Sequence, residues 1–351
     1  MKVISVTPAG RKIYLEILVP YLLKNRAYIA EHHFWLNTEN REDIAYIESV
    51  AQQYPDFFKI NRKKVFDPLS LFFNIWQYFK DYTDEDTLYI RLDDDICYIA
   101  DDAIPKLIDC RLKHPEPFLV YGNVVNNTFC SYLHQKNRVI PRRWHTVKYG
   151  FDLKIVVSSQ FAAKVHLRFI LSHKLGLTSM WKFKDHPISL DDNNPQVNVI
   201  SWFGKDFKGI PELDLPILRG TYTEIRGKKT EVATEEQMLL WVLPHRFNRP
   251  NMIAGQALFS HFAYTHQRWN LEHETYLLEA YKNINHLNIT QFVIKTAKIK
   301  WRRWRFLFRR WNRQRNWAQY PARIFIFCKT HFPKTYKSLS DIKRKISGIK
   351  K

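Results

Sequence analysis

Glycine is scarce in this chain, at 10 of 351 residues. Nucleotide sites built on a glycine-rich loop need backbone without a Cβ against the phosphates, so that class of site is disfavoured. Cysteine is scarcer still, and Cys97, Cys110, Cys130 and Cys328 form no CxxC pair and no finger-like spacing. A disulfide scaffold and a zinc ribbon are therefore disfavoured, and a reduced, cytosolic setting is expected. No run approaches the ~18 consecutive apolar residues that span a bilayer. The opening MKVISVTPAGRK lacks the apolar segment of a secretory leader. On that expectation Asn126-Asn127-Thr128 and Asn288-Ile289-Thr290 read as chance matches to the glycosylation pattern.

Acidic residues are missing from one end. From Gln291 to Lys351 there are 19 Lys and Arg against the single acid Asp341, which accounts for +18 of the net charge of +21. The other 290 residues are nearly neutral, with 36 bases and 33 acids. A hydrophobic fraction of 45% with 15% aromatics excludes a disordered or fibrous chain. The expected organisation is a globule over residues 1–290, divided into 1–130 and 131–290, followed by a basic tail over 291–351.

Short β-rich runs alternate with helical patterns through the first hundred residues, the mark of an α/β fold with a largely parallel sheet flanked by helices. Strands are expected at Val3 to Val6, His33 to Leu36, Phe57 to Ile60, Thr87 to Leu92 and Phe118 to Tyr121. Helices are expected from Ile13 to Leu22, Arg41 to Gln53 and Ser70 to Phe79, with another capped by Asp101-Asp102 and running through Leu112. Beyond residue 131 the pattern is weaker, with helices read at Ser158 to Leu175 and Thr234 to Leu243 and strands at Val197 to Phe203 and Met252 to Phe262.

The fourth strand runs straight into Asp93-Asp94-Asp95. Ligands of open parallel sheets collect outside the carboxyl ends of the strands, so these acids stand where a site is expected. A divalent ion held by Asp93 and Asp95 neutralises a departing diphosphate without any glycine loop. The bland alternative is a solvated loop or a helix cap. A calcium loop of the EF-hand type is disfavoured, because Asp93 to Ile104 has no glycine at its sixth position and no glutamate at its twelfth.

The stretch YIRLDDDI, Tyr89 to Ile96, in its place after a fourth strand, resembles the DxD strand of GT-A glycosyltransferases, in particular bacterial enzymes of surface polysaccharide synthesis. The resemblance covers roughly Val3 to Phe262. It implies a GT-A, Rossmann-like fold and a nucleotide-diphosphate sugar as donor. Asp93 and Asp95 would hold Mn²⁺ or Mg²⁺, Asp94 and Arg91 would lie at the nucleotide, and the turn Thr7-Pro8-Ala9-Gly10-Arg11 with Asn37 would cradle it. A glycan or lipid-linked acceptor is implied as partner.

Such enzymes also need a base for the acceptor hydroxyl, and Thr234-Glu235-Glu236-Gln237 offers Glu236 first and Glu235 beside it. The same residues make an ordinary helix N-terminus. His261, at the end of the last strand, is the candidate third metal ligand, with His266 and His245 in reserve. Trp202 is open to two readings, a stacking platform for an acceptor sugar or a core residue.

In the tail, Ile294, Ala297, Trp301, Trp304, Phe308 and Trp311 recur at helical spacing among arginines. Such a helix suits the surface of an anionic membrane and points to peripheral attachment at the cytoplasmic leaflet. Nucleic-acid binding through the tail is a competing reading that the near-neutral globule does not favour. A metal-dependent nucleotidyl or phosphoryl transferase using the same acids is another.

Overall fold

Seven consecutive residues, Val3 to Ala9, are buried, as expected of a strand covered on both faces. They belong to β1 (Lys2–Ala9) of a computed structural model that describes residues 1–63, 75–192, 196–210, 221–225, 228–232, 235–274, 276–288 and 290–291. By internal contacts the chain divides into Met1–Lys295 and Thr296–Lys351. The second unit lies wholly outside the described residues, and so do the helix expected in the tail from Ile294 to Trp311 and Cys328. The start of the helix expected at Ser70, and Thr234, also lie outside them.

The other strands of the central sheet are β2 (Glu31–Leu36), β3 (Phe58–Asn61), β4 (Thr87–Leu92), β5 (Ile96–Ile99), β6 (Val120–Val125), β7 (His186–Ile188), β8 (Val199–Phe203) and a long last strand, Asn251–His261. Their order is β3-β2-β1-β4-β8-β6, then the last strand and β5, with β7 also pairing to the last strand. Six of the nine run the same way; β5, β7 and β8 run against them. This is a mostly parallel α/β sheet flanked by helices, a Rossmann-like architecture. The carboxyl ends of β1, β4, β6 and the last strand therefore meet along one edge.

The helices begin where local chemistry allows. After α1 (Lys12–Lys24), α2 (Arg41–Gln53) starts at Asn40, whose side chain accepts the Glu42 and Asp43 N–H groups, and it ends before Pro55. Asp102 precedes α3 (Ala103–Lys113) but makes no side-chain cap; its carboxylate goes to Lys182 instead, at 2.6 and 2.8 Å. Next come α4 (Thr128–Lys136), α5 (Leu153–Val157) and α6 (Ser159–Lys174), which are started by the side chains of Asn127, Asp152 and Ser158.

Three features depart from the sequence reading. β5 follows the aspartates after a tight turn, a four-residue strand too short to stand out from its period. A two-stranded hairpin, β9 (Thr221–Ile225) and β10 (Lys228–Val232), precedes the acidic pair. The helix expected through Leu243 is three pieces, α7 (Glu235–Gln237), a π turn (Met238–Val242) and α8 (Leu243–Arg246). The last strand is β11, with α9 (Thr265–Glu274) and α10 (Leu277–Lys282) after it.

Trp202 resolves to the core. It is fully buried, stacks on Tyr89 with centroids 5.4 Å apart, and donates its indole N–H to the Tyr82 carbonyl at 3.3 Å. It presents no face to a sugar. Asn126, Asn127 and Thr128 are buried as well, which removes the first glycosylation match from the surface.

Gly204, just past β8, lies against the backbone of Asp84: a Cβ there would sit 2.1 Å from the Asp84 carbonyl oxygen. Backbone cannot yield as a flexible side chain can. Gly204→Ala is expected to cost about 1–3 kcal/mol, read as a lower urea midpoint at unchanged m-value.

Candidate active site

The three aspartates occupy the turn between β4 and β5, closed by the Ile96 N–H on the Asp93 carbonyl at 3.1 Å. Each carboxylate meets a different neighbour. Asp94 turns toward the β1–α1 connection, where it accepts the Gly10 N–H at 3.2 Å and the Arg11 Nε at 3.0 and 3.1 Å, and Arg11 Nη2 closes the pair. Gly10 is required for that approach, because a Cβ would stand 2.8 Å from the Asn37 carbonyl oxygen. Asp94 is thus a clamp on the turn, with its side chain only 6% exposed.

Asp95 sits deepest among charges. Arg11 Nη2 lies 3.1 Å from its Oδ2, Arg268 Nη2 lies 3.8 Å from the same oxygen, and His261 Nε2 lies 3.4 Å from Oδ1. Burial alone raises a carboxyl's pKa, yet Arg11, then His261 and Arg268, hold Asp95 well below the usual range. The same pairing works in reverse on His261. Burial favours its neutral form, but Asp95, its largest favourable partner, raises the imidazole above its ordinary value.

Asp93, expected to hold the metal with Asp95, has its carboxylate engaged on the other side, by Arg91 and Asn198. Its N–H donates to the Asn198 carbonyl at 2.9 Å, and its carboxylate accepts Asn198 Nδ2 at 3.2 Å and Arg91 Nη2 at 3.1 Å. Burial pushes it up to about 6, against Arg91 and with help from Asp95. Arg91 also pairs with Glu235, buried at the start of α7. Glu235 is therefore the inner, structural member of the acidic pair. Glu236 is half-buried, accepts the Val197 N–H at 3.3 Å, and is pushed up to about 7 by burial and by Glu235, with Asp93 adding to it.

The remaining expected residues divide. Pro8 and Thr7 end β1, and Thr7 is fully buried with an unpartnered hydroxyl. Asn37 closes the end of β2 by donating its N–H to the Ala9 carbonyl at 2.9 Å, and its buried side-chain oxygen has no partner. His266 is exposed at the start of α9, and His245 is turned to the Trp241 carbonyl at 2.8 Å. Of the reserve histidines, neither is drawn to the aspartates as His261 is.

Several residues at the site escaped the sequence reading: Arg268, Asn198, Asn126 and Tyr264. Asn126 holds φ +63°, and its side chain bridges the Phe262 carbonyl (3.1 Å) and Gln267 (3.0 Å), while its own carbonyl lies 3.5 Å from His261 Nδ1. Tyr264 packs its ring 4.9 Å from that of His261 and donates to Gln196 at 2.9 Å. An asparagine pair after an apolar strand was the available signal for Asn126; Arg268 carried none.

Asp95 Oδ1 and His261 Nε2 are spaced close to the ~3 Å that separates adjacent ligands of an octahedral ion with ~2.1 Å bonds. The carboxylate suits Mn²⁺ or Mg²⁺ bound jointly with a phosphate ligand, and the imidazole, when neutral, favours the softer Mn²⁺ over Mg²⁺. Among the described residues no three His, Cys, Asp or Glu side chains form a complete metal set, so two protein ligands would be shared with the ligand's own oxygens. Also among the described residues, no helix is long and apolar enough to cross a membrane.

No family model matches the chain, and no curated protein does. Among solved structures it is similar to 4-diphosphocytidyl-2C-methyl-D-erythritol synthase from Anaerococcus prevotii, with 16% identity, a TM-score of 0.26, and coverage of 37% of this chain and 56% of that one. A second structure of 4-diphosphocytidyl-2C-methyl-D-erythritol synthase gives 11% identity, a TM-score of 0.27, and coverage of 34% and 57%. CMP:2-keto-3-deoxy-manno-octonic acid synthetase complexed with CTP gives 15%, 0.25, and coverage of 35% and 52%. The chain thus spans little more than half the length of these structures.

The His261–Asp95 pair has a measurable consequence. Its stabilisation is fully present below His261's ordinary value of 6.5 and is lost as pH rises through the raised folded value. In Asp95→Asn the largest influence opposing burial is removed and only Asp93 and the Asn126 carbonyl still favour the charged form, so the His261 pKa measured by NMR is expected to fall relative to the parent. An unchanged value would break the assignment.

Proposed function

We propose that this protein is a metal-dependent glycosyltransferase, moving a sugar from a nucleotide-diphosphate donor to a hydroxyl of a glycan or lipid-linked acceptor in surface polysaccharide synthesis. What supports the reading is the placement of Glu236, a half-buried carboxylate at the start of α7 that accepts the Val197 N–H at 3.3 Å beside the Glu235–Arg91–Asp93 ion pairs, where burial and Glu235 push its pKa up to about 7. A base poised near the working pH is what removal of a hydroxyl proton requires. The acceptor oxygen bonds to the anomeric carbon as its proton passes to Glu236, and the bond from that carbon to the diphosphate oxygen breaks.

Asp95 and His261 would hold Mn²⁺ or Mg²⁺, whose charge stabilises the departing diphosphate when bound. Arg11 and Arg268 add fixed positive charge at the same place, and each keeps a buried guanidinium nitrogen without a partner, Nη1 and Nε respectively. Asp93 and Arg91 orient the turn, and Pro8 and Asn37 border the nucleotide. In this reading residues 1–130 bind the donor and 131–290 the acceptor, while the basic tail holds the enzyme peripherally at the cytoplasmic leaflet.

Titration of nucleotide diphosphates with and without Mn²⁺ tests the reading. Metal-dependent binding that disappears in Asp95→Asn is expected; binding to none of them would sink it, and label following phosphate instead of sugar would select a nucleotidyl transferase. Glu236→Gln is expected to lower kcat by about a thousandfold with donor binding retained. In the parent, kcat/KM is expected to rise with pH through about 7 as Glu236 loses its proton, and this limb should vanish in the variant.

A further inference from the structure

The globule's near-neutral total conceals a segregated surface. Between Lys136 and Lys184 the sequence has eleven Lys and Arg and a single acid, Asp152. That acid is turned inward: it is buried, pairs with His145 at 2.7 Å, and caps α5 by accepting the Lys154 N–H at 3.0 Å. Outward stand Arg138, Arg142, Arg143, Lys148, Lys154 and Lys164, all exposed, and none forms an ion pair among the described residues. Tyr149 at the edge of this region ties its hydroxyl to Asp192 at 2.9 Å.

Interleaved with these bases, α5 and the residue before its cap expose Phe151 (47%), Leu153 (62%) and Val157 (45%). Large apolar side chains on a five-residue helix surrounded by unpaired cations are costly to leave in water unless something covers them. A highly charged protein partner would match the bases only. A nucleic acid would stack on Phe151 but gains nothing from aliphatic Leu153 and Val157. An anionic lipid surface takes both, with apolar side chains entering the headgroup boundary and the bases at the phosphates.

We infer that α5 and its flanking bases are a membrane-docking face of the globule itself, seated on anionic lipid headgroups. The face is coupled to the site: Gln267 donates to the Ile155 carbonyl of α5 and receives Asn126, whose carbonyl neighbours His261. Docking there would set the site beside the bilayer, where a lipid-linked acceptor lies. The inference stands on surface chemistry and does not require the transferase reading.

The test is co-sedimentation of the full-length protein with vesicles of phosphatidylcholine, alone or with about one third phosphatidylglycerol. Two variants are compared with the parent: Phe151→Ser/Leu153→Ser/Val157→Ser, and Arg142→Glu/Arg143→Glu/Lys148→Glu. The basic tail is present in every protein, so differences report the face. Each variant is expected to bind anionic vesicles about tenfold more weakly, with its far-UV circular dichroism spectrum unchanged. Leu175→Ser/Leu177→Ser, at equally exposed positions elsewhere, should leave binding as it was. If the apolar variant fails to fold, the charge variant carries the test. Parent-like vesicle binding in the folded variants overturns the proposal, and so does a loss seen on RNA but not on vesicles.

Discussion

Asp95 is a buried carboxylate that stays ionised because two arginines and a histidine from distant parts of the chain converge on it. Arg11 comes from the β1–α1 turn, His261 from the end of β11 and Arg268 from α9. A buried charge without partners is strongly destabilising, and one with good partners fixes where those partners must be. The ends of β1, β4 and β11 are thereby held in register at the edge where the sheet opens. Asp93 and Asp94 divide the remaining work, one turned to Arg91 and Asn198, the other to Gly10 and Arg11.

The acidic pair at the start of α7 shows how two adjacent carboxylates come to differ. Glu235 is neutralised by Arg91 in the interior, whereas Glu236 sits where burial and its neighbours' charges keep a proton near neutral pH. One helix start thus supplies a structural ion and a group able to exchange a proton. The π turn that follows, Met238–Val242, inserts extra backbone after this pair, a kind of irregularity often found beside functional residues.

Much of the sheet was legible because its strands are short, β-rich and mostly apolar runs bounded by polar turns, as in Val3 to Val6 and Thr87 to Leu92. The aspartates were legible for the same reason, standing after a strand in a glycine-poor chain. What could not be read depended on partners distant in sequence. Nothing local distinguishes Arg268 from its neighbours on a polar helix, and Trp202 could be placed only once Tyr89 and Tyr82 were known to surround it. The glycosylation pattern at Asn126 was rightly set aside as chance, but the role of that asparagine beside His261 was not legible, because a surface sequence pattern and a buried turn share the same letters. Charge segregation over residues 136–184 was countable from the start, but averaging over the globule erased it.

Arg11 already satisfies Asp94 and Asp95 before any ligand arrives. In the proposed reading a phosphate reaching this corner would find Nε and Nη2 already held by carboxylates and only Nη1 without a partner, so most of what it gains would be the difference between two partners and not the whole worth of a new ion pair. Recognition would then be largely an exchange, in which a weakly charged intruder gains too little to displace the carboxylates. Discrimination between ligands of different charge would be written into the contacts of the turn, and a glycine at position 10 is what lets those contacts form.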